Sequence, residues 1–282
     1  MTIAEQVTRL KTDLEEVKLA GDIEGFNRGY NEGYDAGYAE GQSASGDTEA
    51  VYQQGVADGK QAEHDAFWDE YLNHSGYKSL SYLFAGRGWS DETFCPTRGT
   101  IITSANCNSK SGNQMFQNSR ITDLKGICEA RNITLDFSAT TEFSQVFCDC
   151  GITAVPTIDT RSAISINNLF WNPKKLVTVE KLILKSDGTQ TCTKTFNGVS
   201  ALQNIVIEGK FGNSVDVGVA TQLSKASITS IVNALSTTVN GMTLTLSKTA
   251  VENAFGSTTA DEWTALIAPK IAPNGGWTII LV

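Results

Sequence analysis

The chain has 282 residues, 40% of them apolar and 9% aromatic, a composition that can bury a sizeable core in two or more units. Its formal charge of −9 is concentrated in residues 1–70, which carry 16 acidic against 5 basic side chains. The sequence has no dense basic stripe and no apolar run of the roughly 18 residues that span a bilayer, so we expect neither nucleic-acid binding nor membrane insertion. The first residues also lack the basic and apolar pattern of an export signal.

A short apolar seam opens the chain and predicts a coiled-coil helix. Its apolar residues step by four and three positions, as positions a and d of a heptad repeat do, and mostly polar residues fill the gaps. A helix of this length is marginal alone in water, so we expect it to need partner copies. The alternative is an amphipathic helix packed on the chain's own body. The seam consists of Ile3, Val7, Leu10, Leu14 and Val17.

A glycine then returns at every fourth residue in GFNRGYNEGYDAGYAEG, residues 25–41. Each glycine costs up to about 1 kcal/mol relative to alanine inside a helix, so close helix packing in an oligomer must offset that cost. Tyrosines spaced by four residues form a stripe beside the glycines, which a flexible linker would not need. The predicted self-association residues of this segment are Gly25, Gly29, Tyr30, Gly33, Tyr34, Gly37, Tyr38 and Gly41.

These patterns divide the chain into three predicted segments. Residues 1–41 form the oligomerisation helix with its GxxxG spacing, and residues 42–98 form a linker, a second helix and an aromatic junction. Eight large rings fall between Phe67 and Phe94, which predicts a small packed junction, with a carbohydrate-binding aromatic surface as the alternative. Residues 99–282 form a repeat-bearing body with atypical C-terminal repeats.

The body is predicted to contain short strands and two late helices. The apolar centres of four successive strands, Leu135, Ile158, Ile183 and Ile207, are spaced by 23, 25 and 24 residues. The predicted strands cover residues 99–104, 133–137, 156–160, 181–185, 205–209, 242–247 and 277–282. The predicted amphipathic helices cover residues 227–235 and 259–267.

A phenylalanine recurs in step with the strands, at Phe116, Phe147, Phe170 and Phe196. An apolar residue or threonine precedes each one, and another apolar residue lies five or six positions after it. Because a repeat buries its inner face only against its neighbours, we expect these rings to stack as one internal ladder.

Segments such as Val146-Phe-Cys-Asp-Cys-Gly-Ile-Thr153 resemble the BspA-like leucine-rich repeats, over roughly residues 115–210. This resemblance implies an α+β fold in which an N-terminal α-helical coiled-coil arm precedes a leucine-rich-repeat solenoid with short parallel strands.

The whole layout also resembles tail- or baseplate-associated structural proteins of tailed phages and prophages of gut Gram-positive bacteria. It joins an acidic arm with Gly-Tyr repeats to a Phe-Trp-Asp-Glu-Tyr junction and a repeat body. The resemblance implies a virion protein of the tail, assembled in the host bacterial cytoplasm, that forms a homo-oligomer. Analogy with tail fibres and spikes favours a trimer. The implied partners are other virion tail or baseplate proteins and a host cell-surface glycan or protein.

Catalytic, metal and cofactor sites are not predicted. The sequence has no nucleophile-elbow, zincin or P-loop motif, and its only histidines are His64 and His74. Six cysteines are interpreted as free, buried thiols, including the pair in Cys148-Asp-Cys150, whose spacing is not that of a zinc site. We therefore expect no enzyme activity and no cofactor.

Two other functions stay open at this point: a bacterial cell-surface BspA-like adhesin and a particle-borne glycan hydrolase. A glycosidase needs only two carboxyl groups at a set separation in space, which sequence does not reveal. No ligand-binding residue is identified, although the exposed strand face, the loops after each phenylalanine and Trp171 are candidates because repeat proteins bind through such surfaces.

Overall fold

The structure is a computed structural model that describes residues 83–86, 89–92, 94, 101–103 and 112–282, with only the backbone described for residues 101–103. All of these residues belong to one compact unit, Ser75–Val282. The predicted arm lies outside the described residues.

The described chain alternates short strands with four helices. In chain order these are β1 Ile101–Thr103, α1 Leu124–Arg131, β2 Thr134–Asp136, β3 Ala154–Val155, β4 Ile158–Asp159, β5 Thr178–Ile183, β6 Asn204–Glu208, β7 Val215–Val217, α2 Lys225–Asn233, β8 Asn240–Leu246, α3 Lys248–Phe255, α4 Asp261–Ile267 and β9 Gly276–Leu281. The seven strands expected from sequence are present, and the two expected helices are α2 and α4.

All strand pairs are parallel, and they fall into three sheets. One sheet joins β1 to β2, the second joins β3, β4 and β6 to β5, and the third has the order β7-β8-β9. Isolated parallel bridges add pairing outside these strands; Ser165, for example, bridges both Glu142 and Thr191.

The predicted fold class is wrong. The described residues form a mixed α/β unit with four helices and three separate parallel sheets, and they do not form a closed solenoid. The regular spacing of apolar segments gives the number of residues between successive strands. Which strands pair with each other also depends on the residues that connect the strands. Here α1 precedes β2, and α2, α3 and α4 accompany the last three strands, so that one repeat is not stacked uniformly on the next.

Local sequence explains where the helices begin. The side chains of Asp123, Ser224 and Ser247 each accept a hydrogen bond from a first-turn amide of α1, α2 and α3, respectively. Helix α4 begins after Ala260 without such a cap. None of the described helices is long and apolar enough to cross a membrane.

The described part of the aromatic junction packs against the body. Phe84, Trp89 and Phe94 are buried, and the Phe84 ring stacks on Phe116 with 5.2 Å between centroids. These rings therefore lie in the same compact unit as the strands, which begins at Ser75.

Candidate functional site

The four phenylalanines of the predicted ladder are brought together by the structure. Ring centroids lie 5.4 Å apart between Phe116 and Phe147, 5.4 Å between Phe147 and Phe170, and 5.8 Å between Phe170 and Phe196. Neighbouring rings are within 18° of parallel, and each ring is almost completely buried. Phe211 meets the last ring edge-on, at 6.3 Å. The stack ends there.

Each stacked ring sits in a turn whose backbone is left-handed on both sides of it. The residues two before and two after every phenylalanine have positive φ, as in Lys194 (55°) and Gly198 (81°) around Phe196. Asparagine, aspartate and glycine tolerate this conformation best, and they occupy the second of these positions in all four turns. Successive turns are joined by backbone hydrogen bonds, such as Phe170 N to Thr195 O at 2.9 Å. The turns are therefore held side by side.

A groove of about 530 Å³ lies beside the last of these turns, against strands β7 and β8. We define the groove by its lining residues, which come from three segments of the chain. They are Thr193, Lys194, Phe196, Asn197 and Gly198 from the turn, Asn213, Ser214, Val215, Asp216 and Val219 around β7, and Met242, Thr243 and Thr245 from β8.

Internal hydrogen bonds fix part of the polar lining. Ser214 Oγ accepts from Thr243 N at 3.0 Å, and Asn213 Nδ2 donates to Gln190 O at 3.0 Å. Asp216 Oδ1 accepts from Gly218 N at 2.9 Å, which sets the orientation of that carboxylate. These bonds hold three side chains of the groove in place before any ligand arrives.

Other polar groups of the lining are left available. Within the described residues, the hydroxyls of Thr193 and Thr245 and the side-chain amide of Asn197 make no recorded hydrogen bond to protein. The exposed ammonium of Lys194 lies over the Trp171 ring, 5.9 Å from its centroid, where a cation–π interaction of about 0.5–1 kcal/mol is expected. Lys194 lines the groove, whereas Trp171 is not among the lining residues.

The cysteines show no sign of a reactive site. Those within the described residues, Cys128, Cys148, Cys150 and Cys192, are free and buried, as the sequence indicated for them. Burial raises the pKa of Cys128, Cys150 and Cys192 to about 12, and burial together with the hydrogen bond to Asp149 raises the pKa of Cys148 to about 11. Such thiols stay protonated at neutral pH. In the described part of the chain no group of three or more His, Cys, Asp or Glu residues is placed to hold a metal ion.

The sequence located only part of this site. It pointed to the turn after Phe196, which lines the groove, but not to Lys194, Asp216 or the β8 threonines; Trp171, also a candidate from sequence, is not a lining residue. A positively charged residue two positions before a ladder phenylalanine, where the other turns have Gln or Asn, was the available signal for Lys194.

The predicted self-association residues lie outside the described part of the chain, and the structure does not bear on them. They are Ile3, Val7, Leu10, Leu14, Val17, Gly25, Gly29, Tyr30, Gly33, Tyr34, Gly37, Tyr38 and Gly41.

Comparison with protein-family models, with curated proteins and with solved structures finds no match for this chain.

Proposed function

We propose that this protein is a structural component of a phage tail that assembles as a homo-oligomer through residues 1–41 and uses its body to bind another molecule. The bound molecule is a host-surface ligand or a neighbouring virion protein. The arm holds copies of the chain together, and the body carries the groove.

The groove is the observation that carries the binding part of this proposal. Its volume falls in the range of about 300–1,000 Å³ that is usual for ligand sites. Its polar lining is partly fixed by hydrogen bonds within the protein and partly unpaired, so it presents prearranged groups to a ligand. Prearranged groups reduce the entropy lost on binding.

The residue pattern of the N-terminal segment supports self-association. Five glycines at four-residue spacing destabilise an isolated helix, but they allow a second backbone to approach closely. The adjacent tyrosines supply large surfaces with which a neighbouring copy can be covered. The net charge of −11 on residues 1–70 keeps the outside of such an assembly solvated.

The proposal is tested by the mass of the full-length chain in solution, measured by light scattering on a sizing column. We expect the mass of a trimer. A triple variant with Gly29, Gly33 and Gly37 changed to leucine should not assemble and should have a lower mass. A matched control changes Asn31, Asp35 and Ala39 to leucine, which places leucines at the same spacing but between the glycines. A monomeric full-length chain, or a glycine variant that keeps the oligomer mass, contradicts the assembly part.

The location is tested on phage particles purified from the strain that encodes the chain. We expect peptides of this protein in the tail fraction by mass spectrometry. Their absence from particles whose other tail proteins are detected contradicts the virion role.

A further inference from the structure

We propose that the groove beside Phe196 binds a neutral carbohydrate, a short saccharide whose ring lies over Val219 and Met242. This inference rests on the proposed role of the body as a binding module and names the chemical class of its ligand.

The charges of the groove favour a neutral ligand. Its lining has one cationic side chain, Lys194, and one anionic side chain, Asp216, and its other polar groups are uncharged. A phosphate or an acidic sugar would be attracted by Lys194 but repelled by Asp216. A cationic ligand would be attracted by Asp216 but repelled by Lys194. A hydroxylated neutral ligand interacts favourably with both, because a hydroxyl donates to a carboxylate and accepts from an ammonium.

The hydrogen-bonding groups match a ligand with many hydroxyls. Thr193 and Thr245 each offer a hydroxyl that both donates and accepts, and Asn197 offers an amide that does the same with two separate atoms. Asp216 uses Oδ1 for the Gly218 amide, and the structure records no hydrogen bond to its Oδ2 from the described residues. A saccharide carries hydroxyl groups on most of its ring carbons, so it can satisfy this mixed set, whereas an apolar ligand would leave it unpaired.

The apolar part of the lining suits the other face of a sugar ring. Val219 is 50% exposed, one of the few large apolar side chains of the described residues with that exposure. Met242, which is partly exposed, lines the groove beside it, and Val215 lies buried beneath. A pyranose ring has a face made of C–H bonds, which packs on aliphatic side chains.

The size and the rigidity of the groove fit a short saccharide. A volume of about 530 Å³ accommodates a small ligand and not a folded domain. The turn that supplies Lys194 and Asn197 is fixed by the ring stack, by left-handed backbone at Lys194 and by the Thr195 Oγ1 bond to Ile166 O at 3.1 Å. Few groups need to be ordered when the ligand binds.

The test is saturation-transfer NMR on the full-length protein. The probes are methyl glycosides of glucose, galactose, mannose and N-acetylglucosamine and their disaccharides; the comparison probes are inorganic phosphate, N-acetylneuraminic acid and a short uncharged peptide. We expect transfer to the ring protons of at least one neutral saccharide and a weaker response from the charged probes. Transfer to none of the neutral saccharides, or a clear preference for the acidic sugar, phosphate or the peptide, overturns the inference.

Variants then locate the site. Asp216→Asn retains an acceptor for the Gly218 amide but removes the charge, and we expect it to weaken saccharide binding about tenfold, the loss of one charge-assisted hydrogen bond. Thr245→Val removes a hydroxyl with little change of shape and should weaken binding about threefold to tenfold. The matched control is Thr278→Val, in β9 of the same sheet, exposed and outside the groove, which should leave binding unchanged. Equal binding by all three variants overturns the inference.

The two proposals fail in different ways. A trimeric protein found in tail particles that binds no neutral saccharide refutes the ligand class and leaves the structural role. A monomeric protein absent from particles that binds a neutral saccharide at this groove refutes the tail role.

Discussion

Two regions of the body have parallel strands but bury their apolar residues in different ways. In residues 112–202, which we call the ring-stack region, strands of two to six residues adjoin turns whose phenylalanines stack on one another. In residues 203–282, the helix-covered region, strand β8 reaches seven residues and three helices supply the apolar cover. The groove lies where the two regions meet, since its turn comes from the first and β7 and β8 come from the second.

The two regions differ in the contacts that hold their cores in place. Adjacent turns in the ring-stack region share backbone hydrogen bonds and ring contacts, so each turn depends on both of its neighbours. In the helix-covered region the backbone hydrogen bonds of a helix are mostly internal. Helix α2 meets β6 through its side chains, because Ser227 and Ser230 accept hydrogen bonds from the Ile205 and Ile207 amides and Ile228 and Ile231 are buried. A change in one turn should therefore spread along the stack, whereas a change at one helix end should stay local.

Removing a central ring of the stack is the largest expected effect. Phe170→Ala leaves a cavity and removes stacking on Phe147 and Phe196, and we expect the free energy of unfolding to fall by about 3–5 kcal/mol. Urea denaturation followed by circular dichroism measures the loss. The control is Ile164→Ala in the same region, where a 70% exposed side chain should change stability by less than about 0.5 kcal/mol. A loss below about 1 kcal/mol for the Phe170 variant would show that the ring stack does not hold this region together.

The second-largest expected effect is a loss of stability of the ring-stack region at alkaline pH. All the described cysteines lie in it, and the sequence has none after Cys192. A thiol whose pKa is raised by folding stabilises the protein fully below its unfolded value of about 8.5, and that contribution is lost as the pH rises toward the folded pKa of about 12 for Cys192. Each such thiol lowers the free energy of unfolding by on the order of 1 kcal/mol per pH unit within this window.

Urea denaturation at a series of pH values above 8.5 measures this effect. The wild-type protein should lose stability with a steeper slope than Cys192→Ala, because the variant has one fewer thiol to ionise on unfolding. Comparing slopes separates the titration from any packing change that the alanine causes. Equal slopes would mean that Cys192 ionises as readily in the folded protein as in the unfolded one.

In both regions the sequence predicted some elements and missed others. The ring ladder is visible because phenylalanines recur in step with β-prone segments, and the strands around Leu135, Ile183 and Ile207 are visible for the same reason. Strands β3 and β7, of two and three residues, were not expected from the sequence. Their pairing is decided by neighbouring strands that lie more than 20 residues away in the chain.

The division into three sheets was missed for a related reason. Equal spacing along the chain led to the prediction of one continuous solenoid, but the segment around α1 and the helices after β7 change what each strand can pair with. The caps at Asp123 and Ser247 are the signals that could have indicated α1 and α3. The groove could not be found from spacing, because Lys194, Asp216 and Thr245 share no period and meet only through the fold.

Helix ends in the helix-covered region should give the smallest and most local effects. Ser247 caps α3 by accepting from the Ala250 amide at 3.3 Å, and Ser247→Ala should cost about 1 kcal/mol of stability. Ala260 occupies the equivalent position of α4 in an extended conformation and makes no side-chain cap. Ala260→Ser should therefore add a cap and stabilise the protein by up to about 1 kcal/mol.

The two substitutions are opposite changes at matched positions, so their melting temperatures should shift in opposite directions. Because each cap acts within one helical turn, hydrogen exchange should change in α3 for the first variant and in α4 for the second, with protection of the Phe116 to Phe196 turns unchanged. A loss of protection that reached the ring stack would mean that the two regions unfold as one cooperative unit. The helix-covered region would then depend on its neighbour as closely as the stacked turns depend on one another.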